Sequence, residues 1–265
     1  MYAFELHHAK SLADAAATLG KTGGKALAGG QSLVAAMKLR LAQPGHVVDL
    51  SGIPELKGIR KEGEAVVIGA MTRHAEVASS DVVRGTLPAL AALAEGIGDR
   101  QVRNMGTIGG SIAHNDPAAD WPAAVVALNA TVATNKRKIG ADAFFTGMYE
   151  TALAADEIIV SVSFPVPRKA AYVKFPNPAS RFALVGVFVA QTAAGVRVAV
   201  TGAASSVFRS KPLEEALAKS WTPAAAKAVK VDAHGLNTDL HGSAAYRAHL
   251  VSVMAARAVE MAPER

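Results

Sequence analysis

Two glycine pairs, each flanked by hydroxyl side chains, are the residues of this chain best suited to hold a phosphate. The first lies in Ala28-Gly29-Gly30-Gln31-Ser32, the second in Thr107-Ile108-Gly109-Gly110-Ser111-Ile112-Ala113-His114. Paired glycines let the main chain approach a ligand with no Cβ in the way. Successive N–H groups in such turns form an anion-binding nest, and a following helix start adds positive potential. Ser32, Thr107 and Ser111 add hydroxyl donors at the edges. Taken singly, each pair is an ordinary tight turn. Taken together, each followed by helix signals, they suit a pyrophosphate gripped from two sides.

Other familiar patterns fail. Gly20-Lys21-Thr22 looks like the end of a P-loop, but position 15 is Ala and the residues close a helix instead of opening one. Gly96-Ile97-Gly98 begins like a dinucleotide fingerprint, yet Gln101 stands where the third glycine belongs. No Gly-x-Ser-x-Gly or His-Glu-x-x-His is present, and the adjacent His7 and His8 point apart in an extended segment, so no metal site is expected in this chain. The chain has no cysteine, so it offers no thiolate nucleophile, no disulfide and no ligand set for an ordinary iron–sulfur cluster. Any redox chemistry must rest on an organic cofactor or on metals held by another chain.

The elements that must position these glycines can be read around them. Ser11 opens a helix to Leu19 with Gly20 as its stop, and Lys25 to Ala28 is a short strand entering the first glycine pair. Ser32 is placed to cap a helix over Leu33 to Leu41, and Val47 to Leu50 returns as a strand. Gly58 to Lys61 and Ala65 to Ile68 flank a Glu62-Gly63-Glu64 turn as a hairpin. Thr72 caps a short helix, and a longer one covers Leu87 to Glu95. Gly96 to Asp116 reads as a polar, glycine-rich stretch, and Asp120-Trp121-Pro122 opens an Ala/Val helix. Thr131 to Thr134 and Ile158 to Phe164 read as strands. After Pro165-Val166-Pro167 come strands over Ala171–Phe175, Ala183–Gln191 and Val196–Thr201, then helices ending in an amphipathic segment from Ser243 to Met261. The expected class is α+β: two α/β subdomains, about 1–54 and 55–165, followed by a small antiparallel sheet with C-terminal helices over 166–265.

Several of these segments together resemble the FAD-binding medium subunit of molybdenum hydroxylases, the family of the carbon monoxide dehydrogenase medium chain and the xanthine dehydrogenase FAD domain. The resemblance rests on Ala28-Gly29-Gly30-Gln31-Ser32 with Met37-Lys38-Leu39-Arg40. It continues through Gln101-Val102-Arg103-Asn104, Gly106 to His114, and Asp116-Pro117-Ala118-Ala119-Asp120. Phe144-Phe145-Thr146-Gly147, Glu157-Ile158-Ile159, Tyr172-x-Lys174-Phe175 and Tyr246-Arg247-x-His249-Leu250 follow in family order, so it spans essentially the whole chain.

The resemblance implies a PCMH-type FAD-binding fold with FAD held non-covalently. Lys25, Ala26, Leu27, Ala28, Gly29, Gly30, Gln31 and Ser32 match the segment that wraps the FAD pyrophosphate. Thr107, Gly109, Gly110 and Ser111 match the segment on the other side of the same phosphates. Asp120 matches an acidic contact to the cofactor, and Ile97 a position packed near the flavin. Ile158, Ile159 and Lys174 match positions near the adenine or the isoalloxazine, and Tyr172 a tyrosine beside the ring in some members. Gln31 departs from members with His, and Asn115 from those with a small residue. From the residues alone other readings stay open: Asp120 as a helix N-cap, Lys174 as an exposed strand lysine, Tyr172 as core, His114 as a hydrogen-bonded loop residue.

Composition bounds the function. Of the 265 residues, 51% are hydrophobic and 19% charged, which excludes a disordered chain. The longest apolar run, Phe182 to Ala190, is too short for a membrane span, and the N-terminus has no basic, apolar leader, so a cytoplasmic protein is expected. The net charge of +6 is scattered and not interleaved with aromatics, so no nucleic-acid partner is expected. The resemblance implies a large molybdopterin-binding subunit and a small [2Fe–2S] subunit as partners, in a dimer of heterotrimers. The competing readings are a free-standing flavin oxidase of the same fold and a non-catalytic basic nucleotide-binding module.

Overall fold

The structure, a computed structural model, describes residues 1–263. It is a mixed helix and sheet protein built on three main sheets, with a two-stranded hairpin beside them. The first sheet is parallel, formed by β1 (Glu5–His8), β2 (Lys25–Leu27) and β3 (His46–Asp49) in the order β1-β3-β2, with helices α1 (Leu12–Thr22) and α2 (Leu33–Lys38) as connections. Ser11 caps α1 as expected, but the helix runs through Gly20 and stops at Gly23, whose φ of +62° is the left-handed conformation a C-cap needs. Ser32 precedes α2 without donating or accepting a capping bond, and α2 ends at Lys38, short of Leu41.

A turn of 3-10 helix, Pro54–Leu56, leads to the second sheet, which is antiparallel. It begins with the expected hairpin, β4 (Ile59–Glu62) and β5 (Ala65–Gly69). Helices α3 (His74–Ser79), α4 (Asp81–Thr86), α5 (Pro88–Glu95), α6 (Arg100–Met105), α7 (Ile108–His114) and α8 (Trp121–Ala127) follow. Then come β6 (Thr131–Thr134), β7 (Lys138–Gly140), α9 (Ala141–Phe144), the small hairpin β8 (Phe145–Gly147) and β9 (Glu150–Thr151), and β10 (Ile159–Pro165). The strand order is β4-β5-β10-β6-β7. Thr72 does not cap α3: its hydroxyl bonds Gly58, and Arg73 takes the cap position with Glu76 accepting from its N–H at 2.7 Å. The polar stretch from Gly96 to Asp116 contains two helices, α6 and α7.

The third sheet is an antiparallel meander of β11 (Lys169–Pro176), β12 (Ala183–Thr192), β13 (Gly195–Thr201) and β14 (Phe208–Arg209). Helices α10 (Lys211–Lys219), α11 (Pro223–Ala228) and α12 (Ala244–Met261) complete the described chain. Alternation along β12 explains its long apolar run. Val185, Val187 and Val189 pack with Leu250, Val251 and Met254 of α12, whereas Phe188 and Ala190 join the core containing Trp121 and Val125 of α8. A strand covered on both faces needs no polar positions. Among the described residues no helix is long and apolar enough to cross a membrane.

Candidate functional site

The first glycine pair sits where β2 leaves the carboxyl end of the parallel sheet. Gly30 has φ +72°, a conformation strained for any residue with a side chain. Val34 donates to the Gly30 carbonyl and Ala36 to Ser32, closing the turn into α2. Among the described residues, the main-chain N–H groups of Gly29, Gly30, Gln31, Ser32 and Leu33 meet no acceptor. The loop is half-buried or exposed, and Gln31 turns its amide back onto the Gly29 carbonyl at 3.2 Å. A row of unpaired N–H donors is the chemistry that binds a phosphate.

The second pair behaves differently. Gly109 donates to the Ala70 carbonyl at 2.8 Å, Gly110 to Thr107 Oγ1 at 3.1 Å, and Ser111 to the Thr107 carbonyl at 3.0 Å. These donors are engaged within the protein, so they form no open nest. The glycines serve close packing instead. A Cβ on Gly109 would lie 2.5 Å from the Ala70 Cβ and 2.7 Å from its carbonyl oxygen. The half-buried Ser111, through its hydroxyl, is what this segment offers a ligand.

Close packing also brings the two segments together. A Cβ on Gly29 would overlap the Met105 carbonyl oxygen and stand 2.7 Å from the Gly106 Cα, and one on Gly110 would lie 3.4 Å from the Ala28 Cβ. The open loop therefore rests directly on the chain that enters the second glycine segment.

Lys25, Ala26 and Leu27 form edge strand β2, the two former exposed and Leu27 half-buried. Ile97 is half-buried against the large core, and its carbonyl accepts from Arg103 at 2.9 Å. Ile158 and Ile159 are not surface contacts. Both are buried, Ile158 just before β10 in the cluster that Ala28 packs against and Ile159, the first residue of β10, in the large core.

Asp120, Tyr172 and Lys174 form one cluster around a buried carboxylate, the tyrosine and lysine half-buried. Tyr172 donates its hydroxyl to Asp120 Oδ1 at 2.5 Å, and Lys174 Nζ lies 3.0 and 3.1 Å from the two carboxylate oxygens. Tyr172 and Lys174 alternate along β11 opposite Phe188 and Gly186, and a Cβ on Gly186 would overlap the Tyr172 hydroxyl. Asp120 makes no capping bond to α8, so the cap reading fails, and Lys174, with 11% of its side chain exposed, is not a solvated strand lysine. Burial pushes the Asp120 carboxyl up, against the opposing pull of Lys174 and Tyr172. Burial and the neighbouring Asp120 raise the Tyr172 phenol well above its usual range.

The sequence reading missed His74. It is 4% exposed, accepts from Trp121 Nε1 at its Nδ1 (3.1 Å), and its Nε2 would stand 2.8 Å from a Cβ on Gly106. It therefore spans the distance between the second glycine segment and the helix that Asp120 precedes. Burial, helped by the Arg103 charge, holds it down to about 4, so it is neutral at pH 7. Nothing local marks this histidine, because its partners are distant in sequence. Asn115, a departure in the motif, caps α7 at φ +47° and donates to the Gly147 and Glu150 carbonyls, both at 2.8 Å, tying the β8–β9 hairpin to that helix. His114 is exposed, with its ring 5.1 Å from that of Tyr149.

Residues 2–167 match the family described as the FAD binding domain in molybdopterin dehydrogenase. The carbon monoxide dehydrogenase medium chain of Hydrogenophaga pseudoflava is 40% identical over 98% of this chain and 96% of its own length. The nicotine 6-hydroxylase medium subunit of Paenarthrobacter nicotinovorans is 39% identical over 91% of this chain and 90% of its own. Among solved structures, carbon monoxide dehydrogenase from Hydrogenophaga pseudoflava superposes with a TM-score of 0.89 at 40% identity, covering 98% of this chain and 96% of that one. An open donor loop on a parallel sheet, a packed glycine segment beneath it and near-full-length likeness to these medium chains lead to one assignment: the chain belongs to the FAD-binding medium-chain family of molybdopterin dehydrogenases.

Proposed function

We propose that this chain is the electron-transferring middle subunit of a cytoplasmic molybdenum hydroxylase and binds FAD non-covalently. The carrying observation is the unpaired N–H row of Gly29 to Leu33, set against Met105 and Gly106 in a chain of this family. That row would hold the cofactor's phosphates through main-chain donors, with the Ser111 hydroxyl adding a contact. Asp120, fixed by Tyr172 and Lys174, would supply a carboxylate acceptor to its polar portion. Bound FAD supplies two-electron redox chemistry that no side chain of this chain possesses. The electrons would come from a [2Fe–2S] cluster on a small partner, after substrate hydroxylation on a large molybdopterin-bearing partner, and leave to an external acceptor. A dimer of heterotrimers is the proposed assembly.

Relatives named for carbon monoxide and for nicotine match this chain almost equally well, at 40% and 39% identity, so substrate choice is assigned to the partner and not to this chain. Acid precipitation of the purified protein, followed by chromatography of the supernatant, tests the cofactor. FAD released in stoichiometric amount is expected. FMN, or flavin that stays in the pellet, would overturn the reading.

A further inference from the structure

We propose that Glu5, His7 and His46 form a binding site for one Zn2+ ion at the amino end of the first sheet, separate from the flavin loop. The parallel register sets Glu5 directly across from His46, and His7, two residues along β1, shares their face. Three metal-binding side chains from two strands thus converge. His7 Nε2 lies 3.1 Å from His46 Nδ1, Glu5 Oε1 lies 3.8 Å from His7 Nε2, and Glu5 Oε2 lies 3.4 Å from His46 Nδ1.

These separations suit a metal. Ligand bonds of about 2.0–2.1 Å in tetrahedral geometry put neighbouring ligand atoms roughly 3.3 Å apart. Without a cation, the two facing imidazole nitrogens can share only a single proton, with the carboxylate beside them. Zn2+ would take the place of that proton and bond all three groups, the neutral imidazole that held it shifting its N–H to its other ring nitrogen. Imidazole nitrogen with one carboxylate and no thiolate is a borderline donor set, suited to Zn2+ and unsuited to Mg2+, which prefers all-oxygen shells. Side-chain exposures of 26% for His7, 36% for His46 and 66% for Glu5 leave the site open, with a fourth position for water.

The sheet also supplies an internal control. His8 points to the opposite face of β1, where it pairs with Asp49 at 3.1 Å. The strands run parallel, so the open N–H loop leaves β2 at the carboxyl end, away from the cluster. Zinc would clamp β1 to β3, the central strand, and leave flavin content unchanged.

Calorimetric titration of Zn2+ into the untagged full chain, with native mass spectrometry for stoichiometry, tests the site. Wild type should take one Zn2+ per chain and melt at a higher temperature with it, while Mg2+ gives no binding heat. His7→Ala, His46→Ala and the exposed Glu5→Gln should each weaken zinc binding, by at least the roughly 10–100-fold that loss of a ligand's supporting contact costs. His8→Ala should bind as wild type does. Flavin content of every variant, measured separately, reports whether the fold and the cofactor site survive; Glu5→Gln, being a surface change, tests the site even if a histidine variant fails to fold. No stoichiometric zinc binding by wild type, full retention in Glu5→Gln, or equal loss in His8→Ala would overturn the proposal, and none of these would touch the FAD reading.

Discussion

Gly29 and Gly110 look equivalent in the sequence, each half of a glycine pair beside a hydroxyl, yet the structure gives them different work. Gly29 belongs to the open donor row and has no room for a Cβ against the Met105 carbonyl. Gly110 has its N–H closed by Thr107 and stands 3.0 Å, at its notional Cβ, from Thr107 Oγ1. Gly29→Ala should therefore lift the loop off its support and lower co-purifying flavin by about tenfold or more. Gly110→Val should also reduce flavin, but by displacing Thr107 and Ala28. Gln31→Ala should retain it, because the side chain only folds back on Gly29. Flavin absorbance per chain decides among the three, and full occupancy in Gly29→Ala would remove the loop assignment. His74 gives a prediction in pH. The unfolded chain protonates this residue near 6.5, the folded chain only near 4. Its contribution to stability is therefore intact above about 6.5 and falls by about 3 kcal/mol as pH drops toward 4. Urea unfolding of wild type and His74→Gln at pH 7 and pH 4.5 should show a shallower pH slope in the variant; equal slopes would exclude His74.

At the level of elements, β11 delivers Tyr172 and Lys174 to Asp120, and the Asp116 to Asp120 segment is held for them by β13. Thr201 Oγ1 donates to the Ala119 carbonyl at 2.7 Å and lies 3.0 Å from that of Pro117, to which the Gly202 N–H donates at 2.8 Å. Lys174→Met would strand a carboxylate that is 4% exposed, at a cost of about 3–5 kcal/mol at neutral pH. Protonation of Asp120 should return that stability as pH falls, since a raised carboxyl pKa favours the fold below it and not above it. Adding Asp120→Asn should recover most of the loss at pH 7. Strictly additive urea midpoints would show that the two groups are not coupled. This cluster was the least legible part of the site. Its partners lie 52 and 54 residues apart, so only the family resemblance drew them together. Local signals did better: the β4–β5 turn, the Ser11 cap and the apolar run of β12 are each written in adjacent residues. The same local reasoning misplaced the end of α1, because Gly20 looks as much like a stop as Gly23, and which of the two is left-handed depends on where the helix meets the sheet. It also read both glycine pairs as nests, because whether an N–H is open depends on a distant acceptor such as the Ala70 carbonyl.

Across the whole molecule, the second and third sheets share one core, in which Trp121, Phe164 and Phe188 are fully buried. Arg197 of β13 reinforces that junction by donating to the Val126 carbonyl at 2.9 Å and pairing with Asp142. The result is a frame that fixes one open donor loop and one buried carboxylate cluster without a single cysteine. Such a frame can position a flavin but cannot hold a thiolate-ligated cluster to feed it. Activity toward substrate should therefore appear only in the assembly. Expressed alone, the chain should carry a flavin that dithionite bleaches and an added acceptor reoxidises, yet show no dye reduction driven by carbon monoxide, purines or N-heterocycles. Co-expressed with its proposed large and small partner subunits, the same chain should support dye reduction driven by one of those substrate classes, and Gly29→Ala should abolish transfer to the acceptor while the partners still become reduced by substrate. Substrate turnover by the isolated chain would overturn the subunit reading and make it a free-standing flavin oxidase.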